Sequence, residues 1–456
     1  MTTARTRRRL ARAAAVLLAT AVAGAAMPAA QAKPPKGDTA RVSETTKGAQ
    51  LNGPSSALGL SDDGRFALFT SAATDLLPGP GTPNTDEIYV RDLRNGHVER
   101  ITVAADGSRL NAPTTDASIS GDGRYVAFTT TATNVVPGQV AHDSDLFVHD
   151  RWSGHTELIA ADGPYGVPSL SRDGRYLAYG ALRTDVDPSV QRRYYDIFVT
   201  DRRTHTTRLV TTGADGGATN NNSYNATISA DGSTVGFTSR AGNLLPRDPA
   251  QTDPTQTDPG ATDPGDGAPG LTAPRFYPYF VWKADTGKIS GASLDGEGWL
   301  HGVSGGARLS PDGRYALYGV PVRLRPSPYS FRMDLYAREL ATGKLTRLNA
   351  FLPGTTSDEG AGHPAMTADG RWVYFHSAAD NLVPGDTNGV SDVFRRDLWT
   401  GRIERVSLTR DGEQSNAPAE NPYVDESGDT VVFHAEDGNL VTGDTNAATD
   451  VFLHRL

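Results

Sequence analysis

The sequence predicts an all-β protein made from one repeated unit of four short strands. Three observations carry that expectation. A polar turn feeding a strand of alternating bulky and small apolar residues occurs seven times, and Ser310 to Tyr318 (Ser-Pro-Asp-Gly-Arg-Tyr-Ala-Leu-Tyr) is its clearest copy. The turn glycines Gly64, Gly123, Gly174, Gly232, Gly313, Gly370 and Gly428 are spaced 59, 51, 58, 81, 57 and 58 residues apart, five of the six gaps near one value. A fixed period of this kind marks stacked supersecondary units. Finally, 49 Gly and 29 Pro in 456 residues suit a turn-rich β protein better than a helical one.

In chain order, residues 1–32 read as a signal peptide. Arg5, Arg7, Arg8, Arg9 and Arg12 form a basic stretch without acids, Ala13 to Ala26 is a short apolar run, and Ala30-Gln31-Ala32 fits a small-x-small cleavage site. Thr6 to Arg12 also fits a twin-arginine signal, so either the general secretory or the twin-arginine route is expected. Residues 33–38 form a short linker, and the repeats fill 39–456.

Each repeat carries the same strand signals. A segment ending in an apolar residue and Ser, Thr or Asp comes first (Ile119-Ser120, Ile228-Ser229, Met366-Thr367), then the turn and a second strand such as Arg371 to His376. A third strand follows at Ile88-Tyr89-Val90 and its equivalents. A Gly turn (Gly96, Gly154, Gly287, Gly343, Gly401) leads to the fourth. Period-two strands joined by tight turns form an antiparallel sheet. Residues 247–275, with Thr-Asp-Pro at 252–254, 257–259 and 262–264, explain the long gap; they read as a disordered insertion in the fourth repeat.

A sheet apolar on both faces cannot stand alone, and seven arranged radially bury one another as a β-propeller. The last repeat stops at Leu456, after its third strand. Its fourth strand is expected from the other end of the chain. Arg41-Val42-Ser43, Gly48, Asn52 and Pro54 match Arg405-Val406-Ser407, Gly412, Asn416 and Pro418 at identical spacing. The N-terminal segment is therefore predicted to complete the seventh blade and close the ring, which removes a free edge.

The Asp-Gly-Arg turn with its bulky strand resembles the PD40, or TolB-type, WD40-like propeller repeat, Ser310-Pro311-Asp312-Gly313-Arg314 being the nearest copy. The resemblance spans 39–456. It implies a propeller fold and a role as an interaction platform in exported proteins or as a gating domain of serine peptidases. The resemblance is not expected to extend to the amino-terminal α/β domain of TolB, since only Lys33 to Asp38 are expected between the signal peptide and the first strand.

Zero cysteines exclude disulfides, thiolate metal sites and cysteine lipidation. Removal of residues 1–32 leaves 39 basic against 53 acidic residues, a net −14. That balance argues against nucleic acid or anionic lipid as partner. No second apolar stretch is long enough to span a membrane.

Three groups of residues are candidates for chemistry. Asp386, Asn388 and Asp392, repeated as Asp444, Asn446 and Asp450, place oxygen ligands at relative positions 1, 3 and 7 and suit Ca²⁺. The competing reading is local Asx turns, favoured by the lack of an acid at position 5 and of a later bidentate Glu. His376 and His434 hold the same place in consecutive repeats. They fit either a shared metal or anion or packed side chains. A carboxylate opens the third strand in six repeats (Glu87, Asp145, Asp196, Asp334, Asp392, Asp450), with Pro278 in the other; a residue repeated around a ring is expected to be structural. Gly302-Val303-Ser304-Gly305-Gly306 matches G-x-S-x-G but lacks the strand-to-helix context of a nucleophile elbow. Trp152, Trp299 and Trp399 lie in or near turns, as weak candidates for a contact surface.

The expectation is an exported, monomeric, non-catalytic propeller that binds a protein or glycan partner at its loop face or channel. The alternative is a cation-dependent hydrolase or lyase with its site in the channel.

Overall fold

What turns the repeated motif into structure is visible at Ser61 to Phe66. Ser61 Oγ donates to Asp63 Oδ1 (2.7 Å), and Asp63 Oδ1 accepts the Arg65 N–H (3.0 Å). The Phe66 N–H closes back on Ser61 Oγ at 2.9 Å. The Arg65 guanidinium then reaches Asp92, at the end of the third strand, at 2.7 and 3.1 Å. Arg124–Asp150, Arg175–Asp201 and Arg371–Asp397 repeat the pair. Glycine is required in the turn for two reasons: at Gly123 φ is +71°, and a Cβ would lie 2.3 Å from the Phe66 ring of the preceding sheet.

The computed structural model describes residues 37–77, 86–114, 116–161, 163–183, 194–246, 276–295, 298, 300–324, 331–357, 359–436 and 438–456. The expected signal peptide, the 247–275 insertion and Trp299 lie outside the described residues. Among the described residues every helix-or-strand element is a β-strand, and every strand pairing is antiparallel.

Four four-stranded sheets follow one pattern, first to fourth strand in sequence order, as in Ser55–Leu60, Phe66–Ser71, Glu87–Asp92 and Val98–Arg100. Two further four-strand sets, beginning at Ser223–Ile228 and Gly302–Leu309, are joined into one path by the pairs Tyr277↔Val303 and Pro278↔Gly302. In the last sheet the order is Ala419–Val424, Thr430–Ala435, Asp450–Arg455 and then Asp38–Arg41. Asp38 faces Arg455 and Arg41 faces Phe452. The pairing predicted between the chain ends is therefore present, and it spans hundreds of residues of sequence.

The core lies between sheets. Second and third strands carry a cross-strand aromatic pair: Phe69–Tyr89, Phe128–Phe147, Tyr179–Phe198, Phe237–Phe280, Tyr318–Tyr336, Phe375–Phe394 and Phe433–Phe452, with ring centroids 5.7–6.4 Å apart. Such pairs contribute about 0.5–1.5 kcal/mol each beyond burial. Leu68, Ile88 and Val90 of the first sheet pack on Val126 and Phe128 of the second. Val432, Val451 and Leu453 of the last pack on Ala57, Phe69 and Tyr89 of the first.

Backbone hydrogen bonds link the turns of neighbouring sheets: Asp62 N–H to Gly121 O (2.8 Å), Asp122 to Arg172 (2.9 Å), Arg172 to Ala230 (2.9 Å) and Ala230 to Pro311 (2.7 Å). Pro311 has no N–H to pass on. The series resumes with Ala368 to Glu426 (3.3 Å) and Glu426 to Asp62 (2.9 Å).

Candidate functional site

The loops expected to hold calcium carry their own cation. Arg405, on Ile403–Arg405, places its terminal nitrogen 2.6 Å from Asp386 and Nε 3.3 Å from Asp392. Arg41 does the same for Asp444 (3.2 Å) and Asp450 (3.1 Å). Further donors reach the same loops. Ser407 donates to Asp392 at 2.5 Å and Ser43 to Asp450 at 2.6 Å. Asn388 turns its amide NH₂, a donor and not a metal ligand, toward Asp392 (2.8 Å) and Ser415 O (2.9 Å). Asn446 donates to Leu51 O at 2.8 Å. Burial pushes the Asp386, Asp392 and Asp450 carboxyls above their usual range, and the neighbouring arginine pulls each back.

The other strand-opening acids sit in similar networks, all of them buried. Glu87 meets Arg100, Arg109 and the Tyr89 hydroxyl; Asp334 meets Arg332 and Arg347; Asp196 accepts from Thr211 and Thr219; Asp145 faces Gln139 and His142. Their partners are side chains of the third and fourth strands and of adjoining loops. The G-x-S-x-G match lies wholly within the strand Gly302–Leu309.

His376 and His434 are connected, through a residue sequence reasoning did not single out. Asn421 donates its backbone N–H to His376 Nδ1 (3.1 Å), and its side-chain nitrogen lies 3.5 Å from His434 Nε2. A third imidazole, His363, faces His376 with ring centroids 5.1 Å apart. His363 and Asn421 sit in β-bulges of the first strands and hold left-handed backbones, φ +47° and +52°. Such strain in non-glycine residues collects at functional sites. The signal was available: His363, Asn421, Asn225 and Gly306 each stand seven residues before their turn glycine.

Burial lowers the basicity of these rings, His363 to about 3 with Arg308 adding to the effect, and His376 to about 4. His434 is lowered too, chiefly by burial and less by His376, with Glu420 opposing. All three are neutral at pH 7. His363 Nδ1, His434 Nδ1, Asn421 Oδ1, Thr70 Oγ1 and Ser118 Oγ are buried without a hydrogen-bond partner. Among the described residues no group of three or more His, Asp or Glu is disposed to hold a metal ion.

His363 and Ser118 line a cavity of about 630 Å³ formed by first strands of the sheets, including Leu58, Ile119, Val167, Ile228, Val303 and Leu309. At the turn end Arg172 reaches across it to Asp62 (3.2 Å) and Glu426.

Solved structures share this architecture. An oligogalacturonate lyase in complex with manganese superposes with a TM-score of 0.53 at 13 % identity, over 92 % of this chain and 93 % of that one. The β-propeller domain of the Trilobed protease from Pyrococcus furiosus, described as having an open velcro topology, gives 0.50 at 14 % identity, over 88 % and 93 %. The fold is a β-propeller. TolB from Acinetobacter baumannii aligns at 15 % identity and TM-score 0.38, over 82 % and 77 %, too loosely to carry weight. At these identities the likeness concerns fold and not activity. No family profile and no curated protein matches the sequence.

Proposed function

We propose that the protein is an exported, monomeric, closed seven-bladed propeller that binds a ligand in the upper part of its channel and does no chemistry of its own. The turn-to-turn hydrogen bonds that return to Asp62, and the Asp38–Arg41 strand beside Asp450–Arg455, support the closed ring. The basic and apolar N-terminal stretch supports export. The binding site rests on one observation: five buried polar atoms on or near the channel wall lack a partner, and two of their residues are held in strained bulges. Unpaired buried polar groups each cost about 1–3 kcal/mol, which a ligand supplying the missing bonds recovers. A protein or glycan is the expected class of partner. Filling the channel tests this: Ser118→Trp is expected to keep the fold and abolish binding to any ligand found by thermal-shift screening. Undiminished binding would refute the channel site.

A second reading, a cation-dependent hydrolase or lyase, draws on the ring contact of His363 with His376, two imidazoles of the kind that begin a transition-metal site, with His434 linked to them through Asn421. A lyase with manganese is among the structures of like fold. Mn²⁺ or Ni²⁺ raising the melting temperature of the wild type but not of His363→Ala would support it.

A further inference from the structure

The channel mouth that bears the histidines also bears an aromatic arc on its opposite blades. Tyr165, Tyr195, Tyr224 and Tyr277 come from first and third strands of the third and fourth blades. Strand register puts Tyr165 (opposite Gly180) and Tyr224 (opposite Thr238) where the sixth and seventh blades pair Gly362 with His376 and Glu420 with His434. The rings form a chain: Tyr165–Tyr195 at 5.1 Å, Tyr165–Tyr224 at 6.0 Å, Tyr195–Tyr224 at 6.2 Å and Tyr224–Tyr277 at 6.2 Å. Tyr165 is 57 % exposed and the others are half-buried. Tyr277 also lines the channel.

We propose that this arc is a subsite for the sugar rings of a saccharide chain whose end enters the channel; the assignment rests on the channel reading above and adds the ligand class. A pyranose presents an apolar C–H face and a rim of hydroxyls. The arc offers rigid aromatic faces beside amide and hydroxyl groups. Asn222 accepts the Tyr195 N–H at 2.8 Å, Asn225 lies 3.4 Å from Thr238, and the Arg240 guanidinium sits 5.3 Å from the Tyr277 ring. Tyrosine supplies large contact area at low entropy cost because it has only two side-chain torsions. A protein partner would call for a desolvated apolar anchor pocket. Val167, half exposed, is the large aliphatic side chain beside the arc.

The test is affinity electrophoresis of the mature chain in native gels containing soluble glucan, xylan, galactan or polygalacturonate. At least one polysaccharide is expected to retard the protein. Tyr165→Ala with Tyr224→Ala should weaken retardation at least tenfold, the corresponding Phe pair should keep it because stacking survives, and Trp152→Ala, distant in a turn between third and fourth strands, should leave it unchanged. No retardation in any of the four gels, or retardation indifferent to the Ala pair, overturns the proposal. Ser118→Trp separates the two claims: retardation that survives it but not the Ala pair sinks the channel reading alone, while loss with Ser118→Trp but not with the Ala pair sinks the saccharide subsite alone.

Discussion

The last two blades in the chain hold two polar clusters that look alike in sequence and differ in kind. In the Asp386–Asp392 and Asp444–Asp450 loops, each carboxylate is met by a guanidinium, and Asp392 and Asp450 by a hydroxyl as well. In the His363–His376–His434 cluster, buried nitrogens and an amide oxygen are left without partners. The first network, saturated in charge although Arg41, Arg405 and Asp444 keep atoms outside hydrogen-bond geometry, holds a blade together; the second, neutral and unsaturated, leaves room for a ligand. Repetition of a polar residue from blade to blade goes with the first kind, and departure from the repeat goes with the second.

The largest effect expected from breaking the saturated side is removal of residues 33–43. That deletes the strand beside Asp450–Arg455, Arg41 and Ser43 together. The last blade loses its outer strand, and the chain should unfold or self-associate, as seen by circular dichroism and size-exclusion chromatography. Arg405→Met is the sharper version. It strands Asp386 and Asp392 as buried, unpaired charges, at a cost of about 3–5 kcal/mol. Chemical denaturation measures this, and a loss under about 1 kcal/mol would contradict a saturated staple.

The unsaturated side predicts a smaller effect with a characteristic pH signature. The folded-state pKa values of His363 and His376 lie near 3 and 4, below the ordinary 6.5. Between those values the unfolded chain binds more protons, so stability is full above about 6.5 and falls as pH drops toward 4. The buried Asp392 and Asp450, raised in the fold, work in the opposite sense. The difference between wild type and His363→Gln with His376→Gln therefore isolates the imidazoles. The variant should lose about 1–3 kcal/mol less than wild type on acidification, one pKa unit being worth about 1.4 kcal/mol. Matching pH profiles would count against neutral buried rings. At pH 7 His434→Phe should shift stability by no more than about 1 kcal/mol, since it removes an unsatisfied group.

The smallest expected effect is none. Calcium should leave the melting temperature of the wild type unchanged, because a guanidinium already lies against each pair of carboxylates. A calcium-dependent rise that Asp386→Ala with Asp444→Ala abolishes would reverse that reading and restore the metal loop.

Much of the fold was legible because its determinants are local. The Ser-x-Asp-Gly-Arg turn and the strand alternation each act within a few residues of themselves. The pairing of the chain ends was legible for another reason: Arg41-Val42-Ser43 repeats the pattern of Arg405-Val406-Ser407, so an array one strand short named its own missing piece. The arginine that meets the loop carboxylates stood in that same pattern, read as register and not as a counter-charge. His376 and His434 were visible as a repeat-matched pair. His363, Asn421 and the tyrosine arc were not singled out, because a bulge residue or a strand-start tyrosine meets its partners only once neighbouring strands and sheets lie side by side.

By itself, then, the sequence determined the four-strand unit, its period and the strand that the N-terminus lends to the C-terminus, since turn chemistry and period-two patterning are written residue by residue. The tertiary structure alone decided which polar groups find partners. Arg405 reaching Asp386 and Asp392 and His363 facing His376 depend on strand register and a bulge within one sheet, Arg172 crossing to Asp62 on how sheets tilt about one another, and no local spacing encodes either.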